Sequence, residues 1–132
     1  MPLAAMGAGG FYQQLQPNRK VLAAGTAPAA ATTVYTVPLR TQTEITSIHA
    51  LNYDGATQTL NFSVRFNGGT SYTFRSESMA AAASSNSNTF LNASRIMLGP
   101  QWELRLVASK AASIDYIVTG IEWTLPGGGA TA

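Results

Sequence analysis

Within the stretch 57–66, apolar and polar side chains alternate without a break from Leu60 to Phe66. Leu60, Phe62, Val64 and Phe66 fall on one side of an extended backbone, and Asn61, Ser63 and Arg65 on the other. A period of two marks a strand with one face in a core. Asn67-Gly68-Gly69 supplies residues that tolerate a tight turn, and residues 70–74 return with Tyr72 and Phe74 alternating against Ser71 and Thr73. The pattern predicts a hairpin.

The stretch 33–52 uses the same grammar on a larger scale. Its β-branched and aromatic residues favour a pleated backbone, and Pro38 followed by the polar run 40–44 divides it into two strands meeting at a corner. In the first, Val34, Thr36 and Pro38 alternate with Tyr35, Val37 and Leu39, so both faces carry bulk; that predicts a central strand or one covered by a partner. In the second, residues 44–52, Ile45, His49 and Leu51 fall on one face and Ile48 and Ala50 on the other. A β-bulge near Ser47 would bring Ile45 and Ile48 to the same side.

Tyr53-Asp54-Gly55-Ala56 reads as a tight turn. Further strands are predicted at 20–24, 89–91, 95–98 and 102–108, with Gly99-Pro100-Gln101 turning between the last two. After a turn at 110–113, a long strand at 114–125 carries Ile117, Ile121, Trp123 and Leu125 on one face. Gly120 within it marks a bend or a close backbone contact. The segment 76–88 contains Met79 and four alanines, which suits one turn of helix or a crossover between hairpins.

Eight or nine short strands with turn signals every eight to twelve residues predict an all-β, antiparallel two-sheet sandwich, jelly-roll or Ig-like. Its expected extent is 20–126. Residues 1–19, rich in Ala and Gly and then polar, predict a flexible N-terminal arm, and 127–132 a flexible Gly-rich tail. Phe11, Tyr12 and Leu15 are the anchors by which such an arm would fix itself to a neighbour, with the adjacent cations Arg19 and Lys20 at its base.

Composition narrows the function classes. The 132 residues form one domain large enough for a single core, without any Cys for a disulfide or thiolate metal site. Charged residues make up 11%, against about a quarter in ordinary soluble domains. A surface of short uncharged side chains loses little rotamer entropy and little ionic solvation on burial, which suits subunit packing. The net charge of +2 is dispersed, so nucleic acid is not an expected partner. No apolar run could span a bilayer and residues 1–10 lack the pattern of a signal peptide, so synthesis in the cytosol is expected.

No catalytic constellation stands out. His49 is the one histidine, set in an apolar strand, and reads as a packed or interface residue; Ser47 shares its face, but an i to i+2 strand pair lies about 7 Å apart. The acids Glu44, Asp54, Glu77, Glu103, Asp115 and Glu122 are isolated, and only Asp54 and Glu77, beside turns, could be considered for Ca²⁺. The Gly-rich ends lack the strand-to-helix context of a phosphate loop. No cofactor or metal is expected. Tyr35, Tyr53, Tyr72, Trp102 and Trp123, with Asn52, Asn61 and Gln58 nearby in sequence, could form a sugar-stacking platform, although core packing accounts for the rings equally well.

Four stretches stand out together: Val34-Tyr35-Thr36-Val37-Pro38, Thr46-Ser47-Ile48 leading to Asn52, the run from Ile96 through Gly99-Pro100-Gln101-Trp102 to Leu104, and Val118-Thr119-Gly120-Ile121-Glu122. Through them, across residues 21–125, the chain resembles small β-sandwich virion proteins of tailed bacteriophages. Where the family turn reads Pro-Gly-Asp, this chain has Gly99-Pro100-Gln101. The resemblance implies a non-enzymatic capsid cement (decoration) protein, homo-oligomeric and plausibly trimeric, bound to the major capsid protein on the outer face of a virion assembled in the host cytoplasm. The alternative it leaves is a tail or fibre module that binds host surface glycan.

Overall fold

A computed structural model describes residues 17–82, the backbone of 88–91, and 95–124. Nine strands follow in chain order: β1 (Pro17–Thr26), β2 (Thr32–Thr36), β3 (Thr41–Asn52), β4 (Gln58–Phe66), β5 (Ser71–Met79), β6 (Asn88–Leu91), β7 (Ile96–Leu98), β8 (Trp102–Ala108) and β9 (Ile114–Thr124). They form two antiparallel sheets, β1-β9-β3-β6 with β7 also on β3, and β2-β8-β4-β5. β7 pairs with residues 43–45 of β3 and β6 with residues 48–51, so the two act as one interrupted strand along the same edge. Counted so, first pairs with last, second with second-last, third with sixth and fourth with fifth. That nested pairing is a long hairpin rolled on itself, which makes the fold a jelly roll and not an Ig-like sandwich.

The core lies between the sheets. Leu60 and Phe62 from β4, Leu104 and Leu106 from β8, Ile48 from β3, and Ile114 and Val118 from β9 are fully enclosed. The hairpin at 58–79 stands where the alternation placed it, with Arg65 opposite Ser71 across the Asn67-Gly68-Gly69 turn. The corner at Pro38 carries the chain from one sheet to the other, since β2 pairs with β8 and β3 with β9. The register of β3 on β9 shifts between Ile45 and Ser47, so the expected bulge is present and Ile45 and Ile48 both enter the core.

Several expectations are corrected. Of the two readings of β2, the central strand is overturned: among the described residues β2 is an edge strand paired with β8, and a bulge between Thr33 and Tyr35 turns both Val34 and Tyr35 towards the core. The polar run at 40–44 is not a divider beyond Arg40: Thr41 and Thr43 are buried strand residues, and threonine's branched side chain suits that backbone. Residues 76–79 extend β5, and no helix occurs among the described residues; Met79 ends the strand in the core, and the Ala82 N–H donates to the Asp54 carbonyl. β1 begins at Pro17, three residues before the expected domain edge at 20, so residues 17–19 belong to the sheet and not to an arm.

The sheets are latched to each other beside β1 and β2. The Tyr35 hydroxyl on β2 donates to Glu122 on β9 and lies 2.8 Å from Thr43 Oγ1 on β3, while Lys20 on β1 holds the other Glu122 oxygen at 3.2 Å. Burial, and then the Glu122 carboxylate, push the Tyr35 hydroxyl well above the usual tyrosine range. The neutral phenol is therefore favoured in the folded chain: its stabilisation is complete below about pH 10, the ordinary tyrosine value, and is lost as pH rises beyond it. Tyr35→Phe should cost about 1.5–3 kcal/mol at pH 7, the usual worth of a hydrogen bond to a charged group, and should reduce the loss of stability above about pH 10. Urea unfolding of both proteins at pH 7 and near pH 11 measures both effects. Tyr116, whose hydroxyl is also pushed up by burial, supplies the part that remains.

Candidate assembly surface

The two outer faces of the sandwich differ in chemistry. On the four-stranded sheet the face is polar and satisfied internally. Glu103 accepts from Arg65 Nε at 2.7 Å, from Thr33 Oγ1 at 2.7 Å and from the Gly68 N–H at 3.0 Å. Arg65 first, then Thr33, draw its carboxyl below the ordinary range. Arg105 donates to Thr33, to Ser71 and to the Ala31 carbonyl, and the Ser76 hydroxyl donates to Asn61. A face so fully paired gains little by leaving water.

The outer face of the five-stranded sheet is apolar along its centre. In an antiparallel sheet directly paired residues share a face. Ile117 is therefore level with Ala24 and His49, Thr119 with Val21 and Ser47, and Ile121 with Arg19 and Glu44. Val21 is 55% exposed, Leu51 43%, Met97 52% and Ile117 47%. Ile121 and Trp123 are half-buried, and Tyr53 extends the strip at one end. The grouping of Ile117, Ile121 and Trp123 on one side of β9 follows the sequence pattern, and the structure turns that side outward; Ile114, Tyr116 and Val118 face the core. Leu125 lies outside the described residues. β9 is thus apolar on both faces, the pattern that the sequence analysis assigned to β2.

The expected interface residues fare differently. Phe11, Tyr12 and Leu15 lie outside the described residues. Arg19 and Lys20 are adjacent in sequence and point to opposite sides of β1, as a strand requires: Lys20 reaches inward to Glu122, and Arg19 stands exposed on the outer face. Arg19 has no carboxylate partner among the described residues.

The chemistry of single residues is structural. His49 is exposed on the outer face and not packed in the core, because the bulge at 45–47 gives the inward positions to Ile45, Ile48 and Ala50. The Ser47 hydroxyl is hydrogen-bonded to Thr119 across the strand pair. Five of the six acids hold a cation: Glu44 with Arg95, Asp54 with Lys110, Glu77 with Arg75, Glu103 with Arg65 and Glu122 with Lys20. The sixth, Asp115, accepts from Thr26 and Tyr53. The two acids considered for Ca²⁺ are thus occupied, and no group of three His, Asp or Glu is close enough to hold a metal among the described residues.

The rings do not make one platform. Tyr35 is latched between the sheets, Trp102 packs on Phe66 with ring centroids 5.6 Å apart, and Tyr53 and Tyr72 stand at opposite ends of the sandwich. Of the amides named beside them, Asn52 is fully buried, and Gln58 is engaged by Asp54 and Ser109.

No protein-family model and no curated protein matches the chain. Solved structures do. Bacillus endospore appendages, a family of disulfide-linked pili, match with a TM-score of 0.52 at 14% identity, over 85% of this chain and 89% of theirs. A pentameric capsid protein isolated from metagenomic phage sequences matches at 0.43 and 15% identity, over 96% of this chain and 77% of its own. A xylan-binding domain from Paenibacillus barcinonensis matches at 0.39 and 16%, over 83% and 82%. At 14% identity the likeness to the appendage protein is one of fold.

Proposed function

We propose that this chain is a non-enzymatic structural protein of a virus particle, a cement protein that associates with itself and with the major capsid protein on the outside of a bacteriophage capsid. The observation that carries the reading is the division of the two faces: one sheet presents a paired polar surface to water, and the other an apolar strip along β9 beside an arginine that has no carboxylate partner among the described residues. A monomer working alone gains nothing from exposing that strip, whereas an assembly subunit buries it. The end of the sandwich at residues 37–40, 66–72 and 99–102, where Leu39 and Tyr72 are among the most exposed apolar side chains, is free for a second partner. Residues 1–16, with Phe11, Tyr12 and Leu15, provide a further contact to neighbouring subunits. The appendage protein with the same fold is linked by disulfides; without Cys, this chain must assemble by packing, and repetition over a symmetric shell multiplies modest contacts.

Quantitative mass spectrometry of purified particles tests this. Hundreds of copies relative to the major capsid protein are expected. A handful would place the protein in the tail, and its absence would remove the virion reading in favour of a surface-glycan module.

A further inference from the structure

The charges on the apolar face are arranged asymmetrically about β9. In the row through Ile121, Arg19 stands on the β1 side and Glu44 on the β3 side, with Ile117, Ile121 and Trp123 running between them along the strand. Arg19 is exposed and lacks a carboxylate among the described residues, while Glu44 is nearly buried on this face, its side chain 11% exposed and paired with Arg95 at 3.3 Å, so a second copy meets only its outer edge. We propose that this face docks against the same face of a second copy, about a two-fold axis that runs along β9.

That axis follows from the residues. Rotation about a line parallel to β9 exchanges the β1 and β3 sides and leaves position along the strands unchanged. Arg19 of each copy then comes opposite Glu44 of the other, twice by symmetry, while Ile117, Ile121 and Trp123 meet their own counterparts. The other two-fold that brings the faces together, perpendicular to the strands, would set Arg19 over the level of Ala24 and Glu44 over that of His49, matching no charges. Sheets packed face to face keep their strands nearly aligned at about 10 Å separation, a condition both axes meet, so the charges choose between them. Four strands abreast over the nine levels from Asp115 to Trp123 offer roughly 600 Å² per copy, or about 1,200 Å² in all, at the lower bound for a specific stable interface. Two charge pairs and one apolar seam fit a dimer of micromolar strength. It differs from the trimer that the resemblance implied.

The pairing rests on the face alone. A dimer that is absent from particles overturns only the virion reading, and a monomer present in hundreds of copies overturns only the dimer.

Sedimentation velocity on the full chain, from about 1 to 200 µM, is the test, with circular dichroism to check that each variant is folded. The wild type is expected to show a monomer–dimer equilibrium. Ile117→Asp and Arg19→Glu should each raise the dissociation constant at least about thirtyfold, and combining Arg19→Glu with Glu44→Lys should restore most of the affinity. Should the double variant not fold beside Arg95, the same pair is read from salt: added NaCl weakens the wild-type dimer and leaves Arg19→Gln unchanged. A wild type that stays monomeric at the highest concentration, as it would if residues 1–16 covered its own face, overturns the proposal. So does a dimer indifferent to Ile117→Asp, or one in which neither charge reversal nor salt finds the Arg19–Glu44 pair.

Discussion

Replacing Gly120 with alanine is expected to cost about 3–5 kcal/mol and to lower the melting temperature by roughly 10–20 °C. A Cβ at this position would lie 2.4 Å from the Glu44 carbonyl oxygen and 2.7 Å from Leu22 Cδ1. The leucine can turn away, but the carbonyl belongs to the strand that pairs with β9, so β3 would have to move by most of an ångström. The site is crowded because both neighbours of β9 are irregular at the same level: β1 shifts register between Val21 and Ala23, and β3 between Ile45 and Ser47. Each bulge bends its strand locally, and only a residue without a side chain fits between the two bends. Against a total stability of 5–15 kcal/mol for an ordinary domain, the loss is a large share. Gly55→Ala is the control, since a Cβ there meets nothing within 4 Å and should leave stability within about 0.5 kcal/mol. Thermal and urea unfolding of the two variants side by side would decide it: a Gly120→Ala protein as stable as the control would mean that the strands do not approach so closely.

The same two bulges explain what could be read from the sequence. The bulge in β3 was legible because the apolar parity changes between Ile45 and Ile48, and a parity change has few other causes. The hairpin of β4 and β5 was legible because Leu60 and Phe62 face the core and the intervening positions face water, so the pattern has only one reading. β9 was different. With Tyr116 and Val118 on one side and Ile117, Ile121 and Trp123 on the other, alternation fixes the grouping but not which group is inside, and the inner position goes to the side that meets β4 and β8 across the sandwich. The run 40–44 was misread because a threonine is polar by composition and a strand former by shape. Thr43 is buried once the Tyr35 hydroxyl is there to meet its own, a partner eight residues away in sequence and in the opposite sheet.

The candidate surface was legible only in outline. Scarcity of charge suggested burial against other subunits, but the distinction between the two outer faces depends on pairings across strands far apart in the chain. Glu103 and Arg65, Glu44 and Arg95, and Glu122 and Lys20 are each brought together by topology alone. On the outer face of the five-stranded sheet, Arg19 is left beside the apolar strip without a carboxylate among the described residues, and no reading of single positions separates Arg19 from Lys20, its neighbour in sequence with an opposite fate.

Asn52 carries the second large expected effect: Asn52→Leu should destabilise the fold by about 3–4 kcal/mol, and Asn52→Asp by more. Sequence reading placed this residue at the end of a strand, as a possible hydrogen-bonding group for a sugar. It is instead fully buried. Its Nδ2 donates to the carbonyls of Ala56 at 3.0 Å, Met79 at 3.1 Å and Ala80 at 3.0 Å, and its Oδ1 accepts from the Asp54 N–H at 2.9 Å. An amide nitrogen has two hydrogens, so three carbonyls share them, and only this orientation of the amide satisfies all four groups. One side chain thereby fastens the turn after β3 to the end of β5. Leucine matches its size but removes the hydrogen bonds to the three carbonyls and the N–H, at a cost of about 1–3 kcal/mol for each group left buried and unsatisfied, the Met79 carbonyl first among them. Aspartate keeps the acceptor and turns the donor into a negative oxygen facing three carbonyl oxygens, the worse exchange. Because this amide ties the turn at 53–57 directly to the residues following Met79, hydrogen exchange at Asp54 and Ala82 should accelerate in the variants before the hairpin of β4 and β5 loosens. Equal protection at those two amides in Asn52→Leu and wild type would show that the turn holds itself, and that the buried amide is not what ties β3 to β5.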